Sequence, residues 1–330
     1  MATTVLFHQH GGPDVLALAD LPVGAPGPGE LRLRIDAIGL NRAEVLWRDG
    51  NYIEPVARFP ARLGTEAAGT VDAVGVGVAG FTPGQTVSVI PAFSQNDYAV
   101  YADHALVPAS AVIPRPDTVG AVDGAAVWMP YLTAYGALAG TLAPGDTLVV
   151  TAASSSVGLA ALRVARRLGA TPIAVTRTDA KKATLLAHGA AHVLTNDTQD
   201  VAAAILDLTH GRGTDHTFDA VAGPGVTDLA RTTAPGGSVI VYGALSGRPT
   251  PFPGIDLGLP ALTLRTFTVH EVTRDPERLR RAHAFVTEGL RTGDFQAVVD
   301  RTFPLTAIAD AHRHLESGTQ IGKIVATVEH

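Results

Sequence analysis

The residues best placed for chemistry lie where a strand-like run, Thr147–Ala152, gives way to a helical pattern at Val157. The junction reads Ala152-Ala153-Ser154-Ser155-Ser156-Val157-Gly158. Small residues between a strand and a helix let backbone N–H groups and the helix N-terminus face an anion such as a pyrophosphate. The glycine-rich fingerprint of such turns is reduced here to Ala153-x-Ser155-x-x-Gly158, and the strand–turn–helix context gives the reduced pattern its meaning. Ser154, Ser155, Ser156 and Val157 are the phosphate-contact candidates, with serine hydroxyls adding to the N–H donors.

The next strand-like run ends Val175-Thr176-Arg177-Thr178. A turn that binds NAD usually carries Asp or Glu at this strand tip to hold the ribose 2′-hydroxyl. Arg177 stands there instead, and Lys181 follows one helical turn later. Only three of the 25 basic residues are lysines, and two of them, Lys181 and Lys182, fall at this spot. A 2′-phosphate needs charge-assisted donors, so NADPH is expected over NADH. Asp179 is the competing NADH candidate, although its offset suits a helix N-terminus. Gly243-Ala244-Leu245 follows a later strand at the carboxyl edge, where such sheets bind ligands.

Strands and helices alternate from residue 146 to 269, with strand-like runs at Thr147–Ala152, Pro172–Thr176, His192–Thr195, Thr217–Val221, Ser238–Tyr242 and Thr266–Val269. Val157, Ala160, Ala161, Val164, Ala165 and Leu168 share one helical face. This rhythm predicts an α/β fold, a doubly wound parallel sheet over residues 123–269. Short Val-, Ile- and Leu-rich runs punctuated by Gly and Pro precede it, as in a β-rich barrel-like domain. Helical stretches Asp275–Thr292 and Leu305–Ser317 and a strand Lys323–Val328 close the chain. Residues 1–122 and 270–330 are therefore expected to form one domain.

The 330 residues carry a formal charge of −6, with 46% hydrophobic and 17% charged residues. That mild acidity, with no block of like charge, argues against a nucleic-acid or anionic-membrane partner. No apolar run reaches the roughly 18–20 residues of a membrane span, and no signal peptide is read at the start, so a cytoplasmic protein is expected. Cysteine is absent, which removes disulfides, thiol catalysis and thiolate metal sites. His8/His10 and His312/His314 are read as ordinary surface histidines, so no metal is expected.

Several stretches in order along the chain resemble the zinc-free medium-chain dehydrogenase/reductase family, in its quinone oxidoreductase (zeta-crystallin-like) branch. They are Gly39-Leu40-Asn41-Arg42-Ala43-Glu44, Arg48-Asp49-Gly50-Asn51-Tyr52, Leu63-Gly64-Thr65-Glu66-Ala67-Ala68-Gly69-Thr70-Val71, Trp128–Tyr135, the serine turn, and Gly322-Lys323-Ile324-Val325. The serines stand where this branch usually has alanine and glycine. The resemblance implies a GroES-like catalytic domain, a Rossmann domain inserted in it and a cleft between domains for the nicotinamide. It implies cleft positions for Asn41 and Tyr52, with Tyr52 near the proton-donor position, and a place beside the nicotinamide for Thr133 and for Phe267, Thr268 and Val269. It also implies a 2′-phosphate contact for Lys181 and a homodimer that extends the Rossmann sheet. Thr65 stands where zinc relatives carry His, Glu66 is read as a salt-bridge partner, and Lys323 as either cleft-facing or exposed.

The expected activity is zinc-independent hydride transfer from NADPH to a quinone or an α,β-unsaturated carbonyl, with Tyr52 or water supplying the proton. Two alternatives are a pathway-specific enoyl thioester reductase, whose basic entrance would draw on Arg48, Arg58 and Arg62, and a non-catalytic NADPH-binding protein.

Overall fold

The computed structural model describes residues 1–116, 118–254 and 261–330. The chain divides into two compact units, Met1–Met129 with Gln296–His330, and Pro130–Phe295.

The first unit begins with β1 (Ala2–Phe7), β2 (Ala17–Leu21), β3 (Glu30–Leu40), α1 (Arg42–Asp49), β4 (Ala61–Arg62), β5 (Ala67–Val74), β6 (Thr86–Val89), β7 (His104–Pro108), β8 (Val112–Pro114) and α2 (Ala121–Gly124). The chain then enters α3 (Trp128–Leu138). The second unit continues with β9 (Thr147–Val150), α4 (Ser156–Arg167), β10 (Thr171–Thr176), α5 (Lys182–Ala187), β11 (His192–Thr195), α6 (Val201–Leu208), β12 (Thr214–Asp219), α7 (Val226–Arg231), β13 (Thr233–Val241), β14 (Thr263–Thr266), α8 (His270–Thr273) and α9 (Pro276–Thr292). The chain returns to the first unit with β15 (Val299–Pro304), α10 (Ile308–Ser317) and β16 (Lys323–Thr327).

In the first unit β3 is the central strand. It pairs antiparallel with β5, β7 and β16, and the sheet runs β15-β16-β3-β5-β6-β8 among the described residues. Leu31, Leu33, Ile35 and Ile38 of β3 are fully buried and meet Val5, Phe7, Val87, Val89 and Val107 in one core. Each such side chain contributes about 1.5–3 kcal/mol through burial. The pairing of β16 with the end of β3 brings Lys323 beside Asn41, because Ile324 opposes Leu40. This is the β-rich domain that the short Val-, Ile- and Leu-rich runs predict.

The second unit holds a parallel sheet ordered β11-β10-β9-β12-β13-β14 among the described residues. Numbered from β9 this is the 3-2-1-4-5-6 order of the Rossmann fold, and the sheet is the doubly wound parallel one that the alternating pattern predicts. The α4 helix lays Leu159, Ala160, Leu162, Val164 and Ala165 into the interior and keeps Arg166 and Arg167 in its last turn, where cations suit the helix dipole.

The structure differs from the sequence reading at three places. The last Rossmann strand ends at Thr266 rather than running to Val269, because Thr268 and Val269 turn into α8, with Thr268 accepting from Glu271 N–H at 3.0 Å. Strand β15 carried no signal in the sequence: Val299-Asp300-Arg301-Thr302-Phe303-Pro304 is a largely exposed edge strand paired only with β16 among the described residues, so neither alternation nor an apolar run marks it. The helix α9 lies in the second unit, whereas the sequence grouped residues 270–330 with the first domain.

Candidate active site

In the second unit the serine turn joins β9 to α4. Ala152 adopts φ 45°, and Ser155 becomes the N-cap of α4, its hydroxyl accepting from Gly158 N–H at 3.1 Å. That contact uses an acceptor lone pair of Ser155 and fixes its hydroxyl at the start of the helix. Ser156 and Val157 sit in the first helical turn, whose N–H groups have no intrahelical acceptor. Those donors and the positive end of α4 suit a pyrophosphate. Gly158 is required by close approach: a Cβ there would lie 2.6 Å from the Ala153 carbonyl oxygen.

Buried Ser154 accepts from Lys181 Nζ at 3.1 Å. The short helical turn Asp179–Lys181 after β10 thereby carries an ammonium to the phosphate turn. Arg177 is exposed just beyond the end of β10. The rival Asp179 accepts from the Thr195 hydroxyl at 3.1 Å, so its carboxylate is tied to the end of β11.

A second fastening went unread in the sequence. The buried Asp219 carboxylate at the end of β12 accepts from the Thr151 hydroxyl at 2.5 Å and from the N–H groups of Val221 and Ala222 at 3.0 and 2.8 Å. It clamps the end of β9, where the phosphate turn begins, to the end of β12. The Gly243-Ala244-Leu245 loop is zipped onto it, with Leu245 N–H donating to Ala220 oxygen at 3.0 Å. Thr133 is buried in α3. Phe267 is buried with its ring edge against Gly136 of α3, while Thr268 is exposed and Val269 half-buried.

In the first unit, Asn41 leads into α1 and Glu44 closes the start of that helix. Glu44 Oε2 accepts from Asn41 N–H at 2.8 Å, and Oε1 accepts from the Thr65 hydroxyl at 2.8 Å and the Thr65 N–H at 3.2 Å. Burial pushes the Glu44 carboxyl up to about 7, against the pull of the Thr65 hydrogen bond and the Lys323 charge. Lys323 is not exposed: it is 1% exposed and donates to Asn41 Oδ1 at 2.5 Å and Glu66 Oε2 at 2.5 Å. Glu66 is the ion-pair partner the sequence suggests, and its Oε1 also accepts from Met129 N–H at 2.8 Å at the start of α3. Asn41 Nδ2 donates to Gly39 oxygen at 3.2 Å and Glu66 Oε2 at 3.4 Å, so its amide is held on this network. Tyr52 is half-buried with its ring edge-on to Trp47, 6.1 Å between centroids.

Two further readings are overturned. His312 is fully buried rather than a surface histidine. Its Nδ1 accepts from Arg48 Nη1 at 3.0 Å, and burial together with the Arg48 charge pushes its pKa down to about 3. Arg48 is equally buried, paired with Asp49 and Glu316 at 2.8 and 3.0 Å and donating to Gly11 oxygen. It cannot serve a basic entrance patch, which leaves Arg58 and Arg62 of that trio. No group of three or more His, Cys, Asp or Glu that could hold a metal ion occurs among the described residues.

Residues 27–117 match the alcohol dehydrogenase GroES-like domain and residues 156–288 the zinc-binding dehydrogenase model. A 2-haloacrylate reductase of Burkholderia sp is 30% identical over 98% of both chains. A quinone oxidoreductase of Pseudomonas aeruginosa is 30% identical over 98% of this chain and 99% of that one. The crystal structure of Escherichia coli quinone oxidoreductase complexed with NADPH superposes with a TM-score of 0.92 at 27% identity, covering 98% and 99% of the two chains. The fold and turn define an NAD(P)H-dependent oxidoreductase of the medium-chain type. The chain belongs to the zinc-free medium-chain dehydrogenase/reductase family, in its quinone oxidoreductase branch.

Proposed function

We propose that this enzyme uses NADPH to reduce quinones or α,β-unsaturated carbonyls. The observation that carries the cofactor choice is Lys181 Nζ at 3.1 Å from Ser154 Oγ, an ammonium beside the phosphate turn, with Arg177 rather than a carboxylate at the preceding strand tip. Asp179 is held by Thr195 instead, and the Escherichia coli relative is described in complex with NADPH.

The residues present fit the cofactor. The N–H groups of Ser156 and Val157 would hold the pyrophosphate, with Ser154 and Ser155 shaping the turn. Lys181 and Arg177 would hold the 2′-phosphate, and Gly243, Ala244, Leu245, Thr133, Phe267, Thr268 and Val269 would border the nicotinamide end. Bound NADPH would supply a hydride. The protein then has to bind and orient an acceptor that is already polarised and deliver a proton. Thr65, which occupies the position of a zinc ligand in relatives, spends its hydroxyl on Glu44. A quinone or conjugated enone meets the requirement, and reductases of such compounds are among the relatives. Tyr52 is the proposed proton source, directly or through water, because a phenol can donate to the oxygen or carbon that gains charge. Asn41 is proposed at the acceptor side. We assign the enzyme to the cytoplasm, as a homodimer joined along the edge strand β14.

Fluorescence titration of the purified protein with NADPH and NADH tests the cofactor reading. Tighter NADPH binding that weakens in Lys181→Ala and Arg177→Ala is expected. Equal or tighter NADH binding would overturn it.

A further inference from the structure

The ion pair of Lys323 and Glu66 is buried to 1% and 0% exposure. Removing two charges from water is costly, and hydrophobic residues of similar volume often hold a fold as well. A buried pair is therefore weak as an explanation of stability alone, and its contacts have to say what else it does. The ammonium does not merely neutralise Glu66: it also donates to Asn41 Oδ1 at 2.5 Å. An asparagine side chain can present either its oxygen or its NH2 group to a neighbour. An ammonium has only donors, so Lys323 compels Oδ1 to face it. The NH2 group must then point to Gly39 oxygen and Glu66 Oε2. The space is made for this arrangement. A Cβ on Gly39 would lie 2.9 Å from Glu66 Oε2, 2.9 Å from Lys323 Cε and 2.0 Å from the Ala125 carbonyl oxygen.

We propose that Lys323, anchored by Glu66, is a positioning residue for turnover, because its ammonium fixes the orientation of the Asn41 amide and of the segment leading into α1. The proposal rests on the reading that Asn41 lies at the acceptor side.

Four variants test it: Asn41→Ala, the charge-free pair Lys323→Met with Glu66→Gln, and, with Glu66 intact, Lys323→Arg. Each is measured for melting temperature, NADPH affinity by fluorescence, and kcat and KM for a quinone acceptor; the fourth, Lys323→Met alone, shows the cost of an unpaired Glu66. The double variant is expected to recover the melting temperature lost in Lys323→Met and to bind NADPH within about twofold of wild type. Its kcat is expected to fall at least about tenfold, to the level of Asn41→Ala. Lys323→Arg keeps the buried charge, and is expected to keep the fold while losing kcat, because a planar guanidinium cannot reproduce a point contact to Oδ1. A double variant or Lys323→Arg with wild-type kcat, while Asn41→Ala is slow, would show the pair to be structural only and overturn the proposal. Wild-type kcat in Asn41→Ala would instead overturn the placement of Asn41 and the proposal together.

Discussion

Lys181 Nζ stands 3.1 Å from Ser154 Oγ, joining the segment after β10 to the turn before α4. These two residues lie 27 positions apart, and their meeting places a cation where a dinucleotide carries its phosphates. Losing one charge-assisted contact costs about 1.5–3 kcal/mol. Lys181→Ala should thus weaken NADPH about tenfold or more and leave NADH within about twofold. Dissociation constants for both cofactors check this, and an equal loss for the two would remove Lys181 from the 2′-phosphate.

Gly158 lets the start of α4 press on the backbone of the turn after β9. Its Cβ-bearing replacement would meet the Ala153 oxygen at 2.6 Å, and backbone cannot retreat as a side chain can. Gly158→Ala should lose roughly 1–3 kcal/mol of stability through overpacking, despite the helix preference of alanine. NADPH affinity should fall with it. A melting temperature and affinity equal to wild type would contradict the packing account.

Glu44 and His312 make opposed contributions to the pH dependence of stability. The Glu44 carboxyl sits at about 7 in the fold against 4.5 unfolded, so the folded protein keeps a proton that the unfolded chain gives up. Stability falls by about 3 kcal/mol as pH rises from 4.5 to 7. His312 sits at about 3 against 6.5, so the unfolded chain takes up a proton that the fold refuses. Stability falls by about 5 kcal/mol as pH drops from 6.5 to 3. Between 4.5 and 6.5 the two slopes oppose. Thermal unfolding across this range should show a steeper loss toward acid in Glu44→Gln than in wild type, and in His312→Gln a loss toward neutral pH. Parallel curves for all three proteins would contradict these assignments.

Tyr52 is the proposed proton source, and general acid catalysis contributes typically 10²–10⁴-fold. Tyr52→Phe should lower kcat about a hundredfold while NADPH affinity stays within about twofold. Water can substitute in part, which sets the lower end of that range. An unchanged kcat would remove Tyr52 from proton transfer.

The Rossmann unit was legible because its evidence is local. Alternating strands and helices, the small-residue turn and the missing acid after Thr176 all lie within short windows, and they point to the doubly wound parallel sheet that is observed. What escaped the sequence depends on pairs far apart along the chain. Arg48 and His312 are separated by 264 positions, and Lys323 and Asn41 by 282. Each of these polar residues looks exposed when read alone, since Arg, His and Lys are seldom buried without a partner, and no periodicity announces the partner. Ser155 shows what a local pattern leaves open: a serine before a helix can cap it as well as face an anion, and here it accepts from Gly158 N–H. Asp219 had no pattern at all, because its role rests on the parallel pairing of β9 and β12.

The central claim is NADPH-driven reduction of a polarised acceptor. Steady-state oxidation of NADPH by the purified enzyme, followed by loss of the reduced nicotinamide absorbance with a panel of quinones and conjugated enones, tests it most directly. The account predicts acceptor-dependent oxidation that is faster with NADPH than with NADH and slowed in Tyr52→Phe. Tight NADPH binding with no oxidation by any acceptor in the panel would contradict it and leave a protein that only binds the cofactor.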